Sequence, residues 1–196
     1  MKNILLLACL LALSGCISSP AKQAGGASIY RYWRIVQIPA RANEPAVYVT
    51  GSNSHVHFPG KSIQGTSVPA RIRRCHDAKS VECELGVVSI DFSSQLTSTF
   101  EGGVTLDYRS TTTIAPYYHR VFASGGSSTS VSLGDPNDQA GLRDHWEDSS
   151  AQRLIYGQVL RVSSRNDVEV FLCAQPAPLL VGGPFCPQNL ALPQPH

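Results

Sequence analysis

The sequence predicts an all-β fold, a single antiparallel β-sandwich or barrel-like domain with disulfides and little helix. The first observation is a series of short runs rich in Val, Ile, Tyr and Thr, separated by clusters of Gly, Pro, Ser and Asn. The second is that apolar and polar residues alternate within several runs, as expected when one face of a strand is buried. The third is that helical periodicity is nearly absent. Short strands at this spacing are typical of a sandwich or barrel.

Nine strands are predicted in chain order. They span residues 30–38, 46–50, 55–58, 68–73, 85–92, 104–113, 117–123, 154–162 and 168–173. The alternation is clearest in two of them. In the sixth, Val104, Leu106 and Tyr108 share one face while polar residues occupy the other, and in the fifth Val88 and Ile90 share a face in the same way. These apolar faces predict the core.

One stretch favours a short helix. Residues 138–153 follow Asp135-Pro136-Asn137, a sequence typical of a turn before a helix, and Leu142 and Trp146 are spaced for one apolar stripe. The stretch is also rich in Asp and Ser, so the pattern predicts one or two helical turns there.

The first sixteen residues have the pattern of an export signal. Lys2 supplies a short positive region, ten uncharged residues follow at 4–13, and the stretch ends in Leu13-Ser14-Gly15-Cys16. At about 1.5 Å per residue, the apolar run covers roughly half of a ~30 Å hydrocarbon core, which indicates a removable segment. This ending resembles the lipobox of bacterial lipoproteins. An ordinary secretory signal with an incidental Cys16 is the alternative.

The resemblance implies a lipid anchor. In that class a peptidase removes the signal peptide, here residues 1–15, and the new terminal cysteine, here Cys16, receives diacylglycerol and a further acyl chain, typically palmitate. An Asp after the cysteine marks retention in the inner membrane of many Gram-negative cells, and this chain has Ile17 there. The expected location is therefore the outer membrane, facing the periplasm or the cell surface. Two or three acyl chains, at about 0.8 kcal/mol per buried methylene, make such attachment effectively permanent.

The remaining chain divides into three parts. Residues 16–28 are predicted to form a lipidated flexible tether, because 18–28 have the sequence SSPAKQAGGAS. Residues 29–173 are predicted to form the β-rich globular domain. Residues 174–196 are predicted to form a Pro-rich tail stapled by a disulfide. Without Lys2, the sixteen Lys and Arg of the chain become fifteen, against fourteen Asp and Glu. This near-neutral balance, without a basic cluster, argues against nucleic-acid binding.

Four cysteines remain once Cys9 leaves with the signal peptide and Cys16 is lipidated. They are Cys75, Cys83, Cys173 and Cys186. An even number in an oxidising compartment predicts disulfides, and of three possible connectivities the local one, 75 with 83 and 173 with 186, needs the least chain closure. A zinc site of four cysteines is the alternative. Such sites usually space paired ligands by two to four residues, whereas the gaps here are seven and twelve.

His55 and His57 form a His-x-His pair in a strand-like run. Both imidazoles would project from one face, with Cα atoms about 6.5 to 7 Å apart, a spacing that can chelate a metal ion. Distant residues such as His76, His119 or His145 would have to complete the site. The pair is the candidate metal site of this chain.

Four tyrosines are the candidate partner-binding residues. Tyr30 and Tyr32 share one face of the first predicted strand, and Tyr117 and Tyr118 open the seventh. Aromatic rings near a sheet surface serve glycan stacking and protein contacts, and core packing is the alternative.

No motif of catalysis or phosphate binding occurs: Gly-x-Ser-x-Gly, His-Glu-x-x-His and the Gly-x-x-x-x-Gly-Lys-Ser/Thr loop are all missing from the sequence. The sequence therefore favours a non-catalytic outer-membrane lipoprotein without a cofactor, which binds an envelope protein or glycan in assembly, secretion or surface interaction. The alternative function is a periplasmic metal-binding protein or metal-dependent enzyme that uses His55 and His57.

Overall fold

The computed structural model describes residues 25–37, 47–75, 83–124, 127–178 and 182–188. Within these ranges the chain forms eleven strands and no helix. The strands are β1 (Gly26–Gln37), β2 (Val47–His57), β3 (Ser62–Thr66), β4 (Ala70–Cys75), β5 (Cys83–Phe100), β6 (Gly103–Ala115), β7 (Tyr117–Ser124), β8 (Ser127–Gly134), β9 (Asp144–Ile155), β10 (Val159–Arg165) and β11 (Val168–Ala177). Accordingly, no helix able to cross a bilayer is found in these ranges.

The strands form two main sheets and a separate hairpin, all antiparallel. Sheet A has the order β10-β11-β1-β2, and sheet B has the order β3-β5-β6-β9. β4 joins sheet B by pairing with the first part of β5, whereas β3 pairs with a later part of it. β7 and β8 pair only with each other. The all-β antiparallel prediction is confirmed, and because neither sheet closes on itself the arrangement is a sandwich rather than a barrel.

One apolar core lies between the two sheets. Sheet A contributes Ile29 and Leu172, and sheet B contributes Leu96, Val104 and Leu106, all of which are fully buried. The alternation predicted for β6 is confirmed, since residues 104, 106 and 108 are 0 %, 0 % and 3 % exposed. The inward faces thus follow the period of two that a half-buried strand requires.

The predicted helix is wrong. Residues 144–155 form β9, which pairs with β6 from Ile114 opposite Asp144 to Gly103 opposite Ile155. Trp146 and Leu154 are buried eight residues apart, an even separation that places both side chains on the inner face of a strand. Pairing along the full length of β6 overrides the weak helical spacing, as tertiary contacts often do.

Two strands extend beyond the predicted bounds of the globular domain. β1 begins at Gly26, inside the predicted tether, and β11 continues to Ala177, beyond the predicted domain end. Gly26 pairs with Ala177, since backbone pairing needs no large side chain. Ala27 is fully buried, because its small side chain fits the end of the core. Residues 1–24, which include the predicted signal peptide and Cys16, lie outside the described residues.

The predicted disulfide between Cys173 and Cys186 is confirmed, with Cα atoms 5.8 Å apart. It holds the tail against the outer face of sheet A. There the backbone N–H of Cys186 donates to the Gln175 side chain at 3.0 Å. Cys75 lies directly opposite Cys83 where β4 meets β5. The side chain of Cys75 lies outside the described residues, so the second predicted bond stays a prediction.

Candidate functional site

The inner face of β1 carries a buried cation. Ile29, Arg31 and Trp33 are every second residue of β1, so their side chains lie on the same face of the strand. This is the face that points into the sandwich, and Arg31 is 2 % exposed there. Its guanidinium lies 3.9 Å from the centre of the Phe92 ring. In the described part of the chain no carboxylate forms an ion pair with Arg31, which is unusual because buried charges are normally paired.

Neutral side chains of β2 and β5 lie within hydrogen-bonding distance of both terminal nitrogens of this guanidinium. Nη1 of Arg31 lies 3.0 Å from Nδ1 of His55, and Nη2 lies 3.4 Å from Nε2 of His57. Nη2 also donates to Oγ of Ser94 at 2.7 Å, and that oxygen is 2.8 Å from Nε2 of His57. Nδ1 of His57 lies 3.1 Å from the carbonyl oxygen of His55, which favours the tautomer with the proton on Nδ1. Nε2 of His57 is then free to accept.

Burial shifts the pKa values of all three groups downward, and repulsion from Arg31 adds to the shift of the two histidines. Burial lowers the pKa of Arg31 to about 10. Burial, reinforced by the charge of Arg31, lowers the pKa of His57 to about 4 and also lowers that of His55. Both imidazoles are therefore neutral at pH 7, the state in which they accept hydrogen bonds from the guanidinium. We call these three residues with Ser94 the Arg31 cluster.

The structure brings the predicted histidine pair together on one face, as the sequence predicted. Their ring nitrogens, however, point at a guanidinium. A metal ion bound by His55 and His57 would have to displace Arg31, and among the described residues no group of three His, Cys, Asp or Glu side chains could hold one. The geometry therefore favours hydrogen bonding over metal coordination at these two residues.

The outer face of sheet B is open and polar, in contrast to the outer face of sheet A under the tail. One row across the strands consists of Gln64, Ser93, Arg109 and Ser149. The rows on either side supply further hydroxyl, amide and carboxylate groups: Thr66, Asp91, Thr111 and Glu147 on one side, and Ser62, Gln95 and Asp107 on the other, where Ala151 completes the row. The period-two alternation of β5 and β6 produces this face, since the apolar residues between Val88 and Leu96 and between Val104 and Ile114 point inward.

Two adjoining cavities, each of about 390 Å³, indent this face. They share Ser93 and Arg109. Their remaining polar lining on the outer face comprises Gln64, Thr66, Asp91, Thr111 and Arg120 in the first cavity and Ser62, Gln95, Asp107 and Ser149 in the second. We call the two cavities together the outer groove. The size of each cavity falls within the range of small-molecule sites.

The β7–β8 hairpin stands at one end of the outer groove. Arg120 of β7 pairs with Asp91 of β5 at 2.7 Å and also donates to Thr66 of β3, so these contacts attach the hairpin to sheet B. Beyond Arg120, Phe122 is 43 % exposed, and the guanidinium lies 5.6 Å from the centre of its ring. The outer groove therefore has a polar floor and an exposed aromatic ring near one end.

The four predicted tyrosines do not form one surface. Tyr32 is 2 % exposed and donates to the carbonyl oxygen of Pro187 at 2.5 Å, so the tail occupies the face that a partner would need. Burial raises its pKa to about 12, and Tyr30 lies beside it with ring centres 6.2 Å apart. Tyr117 and Tyr118 are half-buried at the base of the hairpin, where Tyr117 stacks on His119.

Sequence reasoning missed both Arg31 and the outer groove. Arg31 continues the every-second-residue series of the apolar residues Ala27, Ile29, Trp33 and Ile35, and this pattern could have predicted a buried cation. The groove had no such signal, because its residues come from five strands and each looks like ordinary solvent-facing alternation. Comparison of the chain with protein-family models, curated proteins and solved structures finds no match.

Proposed function

We propose that this protein is an outer-membrane lipoprotein whose β-sandwich binds an envelope component in the outer groove without altering it chemically. The lipid on Cys16 holds the protein at the membrane, and the sandwich presents the groove to the ligand. The observation that carries the proposal is the open polar face of sheet B, with two adjoining cavities that meet at Ser93 and Arg109.

The contrast between the two outer faces supports the choice of sheet B. The outer face of sheet A is occupied by the chain itself, through the Cys173–Cys186 disulfide and the hydrogen bond from Tyr32. The groove residues Asp107, Arg109 and Ser149 are exposed. The side chain of Arg109 makes no hydrogen bond or ion pair with the rest of the described chain, so its guanidinium donors are available to a ligand.

Site-specific photocrosslinking in intact envelopes tests the binding site. A photoreactive benzophenone side chain replaces Ser149 in the groove, and in a matched control it replaces Arg73, which is exposed on β4 outside both cavities. We expect one defined adduct from position 149 and none from position 73. Equal labelling at the two positions, or none at the groove, would contradict the proposed binding site.

Fractionation tests the anchor separately. Replacement of Cys16 with Ser removes the only residue that the lipobox pattern designates for lipidation. We expect the wild-type protein in the outer-membrane fraction and the Cys16→Ser variant released from it. Specific hydrolysis of an envelope polymer by the purified protein, abolished by one substitution in the groove, would refute the non-catalytic part of the proposal.

A further inference from the structure

We propose that the ligand of the outer groove is an uncharged glycan chain that spans both cavities, with Arg109 and Asp107 as its central hydrogen-bonding contacts. This inference rests on the proposed function and adds the class of ligand to it. It depends on three features of the groove: the chemistry of its lining, its charge balance and the exposed ring at its end.

The lining matches the hydroxyl groups of a sugar. Sugar hydroxyls both donate and accept, and the groove offers hydroxyls at Ser93 and Ser149, an amide at Gln95, and acceptors and donors at Asp107 and Arg109. Asp107 and Arg109 are two residues apart on β6 and point to the same side of the sheet. A vicinal pair of hydroxyls could therefore donate to the carboxylate while a neighbouring oxygen accepts from the guanidinium.

The charges of the lining balance. Asp91 is paired with Arg120, and the remaining acid and base of the two cavities are Asp107 and Arg109. A polyanionic chain would meet a carboxylate in each cavity, and a polycation would meet a guanidinium at their junction. An uncharged polar chain meets neither repulsion, so electrostatic complementarity favours it.

A protein partner fits this lining less well. Protein interfaces depend on apolar or aromatic anchors seated in desolvated pockets. The large apolar residues of the groove are buried beneath its floor, Phe92 at 6 % exposure and Tyr108 at 3 %, which leaves no apolar pocket for such an anchor. The exposed ring of Phe122 beside Arg120 provides instead a flat apolar surface at the end of the groove, on which the face of one sugar ring can stack.

The test is binding of the full-length lipidated protein, in detergent micelles, to immobilised oligosaccharides. The probes are neutral hexose and N-acetylhexosamine chains, uronate chains of matched length, and purified envelope proteins. Ser149→Trp fills the second cavity, Arg109→Ala removes the central donor, and Phe122→Ala removes the ring. Arg73→Ala is the matched control, because it removes an exposed arginine of the same sheet outside the groove.

We expect saturable binding of a neutral chain that Ser149→Trp abolishes, that Arg109→Ala weakens by about tenfold or more, and that Arg73→Ala leaves unchanged. Phe122→Ala should also weaken this binding, because it removes the ring on which a sugar stacks. Tighter binding of uronate chains than of neutral ones would overturn the inference. Binding of an envelope protein, lost in Ser149→Trp, without binding of any glycan would overturn the inference and leave the proposed function standing. If no probe of any class binds at the groove, both fail.

Discussion

Acid is expected to destabilise this fold through the Arg31 cluster. His57 is fully buried, and its Nε2 accepts hydrogen bonds in the folded state. Protonation would convert that acceptor into a donor and place a second cation 3.4 Å from the guanidinium of Arg31. The folded protein therefore resists protonation of His57, whereas the unfolded chain accepts the proton freely.

The magnitude follows from the two pKa values. The pKa of His57 is 6.5 in its ordinary state and about 4 in the folded protein, so between these values the unfolded chain binds more protons than the folded one. The stabilisation from neutral His57 is fully present above pH 6.5 and is lost as the pH falls toward 4. Linkage then gives a loss of roughly 2 to 3 kcal/mol in the free energy of unfolding between about pH 7.5 and pH 4.5.

Urea denaturation at the two pH values measures this loss. Carboxylates also titrate in this range, so the informative quantity is the difference between the wild-type protein and His57→Gln, whose amide oxygen keeps an acceptor but cannot be protonated. We expect wild type to lose roughly 2 to 3 kcal/mol more than this variant. His145→Gln, at an exposed histidine of β9, should follow wild type. Equal acid sensitivity in wild type and His57→Gln would refute the reasoning.

Three further predictions concern the fold. Arg31→Met keeps most of the volume and removes a buried charge without a carboxylate partner, so it should change the free energy of unfolding at pH 7.5 by less than about 1 kcal/mol; a loss above about 3 kcal/mol in urea denaturation would contradict this. Joint replacement of Cys173 and Cys186 with Ser opens a loop with a sequence separation of 13 and should lower the free energy of unfolding by about 3 kcal/mol in the same measurement. A change near zero would contradict the view that the disulfide stabilises the fold through the entropy of loop closure. Leu106→Ala, at a fully buried position, should cost about 2 to 5 kcal/mol, while Thr105→Ala on the outer face should cost under about 1 kcal/mol; similar values for the two would mean that the inward and outward faces of β6 are misassigned.

Local patterns predicted the parts of the fold that depend on neighbouring residues. The alternation of Val104, Leu106 and Tyr108 identified both the strand and its buried face, because side chains of a strand alternate regardless of its partners. The bond between Cys173 and Cys186 was predicted for a similar reason, since short loops close at low entropic cost.

Sequence patterns did not predict the strands that form only because a neighbouring strand pairs with them. β8 is rich in Ser, and β9 contains several Ser and Asp residues, so both have weak strand propensity. Each forms because a neighbouring strand supplies its backbone partners. The candidate metal pair shows the same limit. The spacing of His55 and His57 correctly placed both on one face, but no local signal showed that Arg31 of the adjacent strand would lie between their ring nitrogens.

The sequence by itself determined the all-β class, the buried faces of the central strands and the local disulfide, because each follows from spacing along one segment of the chain. It also contains the Leu13-Ser14-Gly15-Cys16 ending, whose resemblance to a lipobox is the basis of the proposed location. Only the tertiary structure decided which polar residues share a surface. The Arg31 cluster and the outer groove each join residues from three or more strands, and the register between strands, which no single segment contains, brings them together.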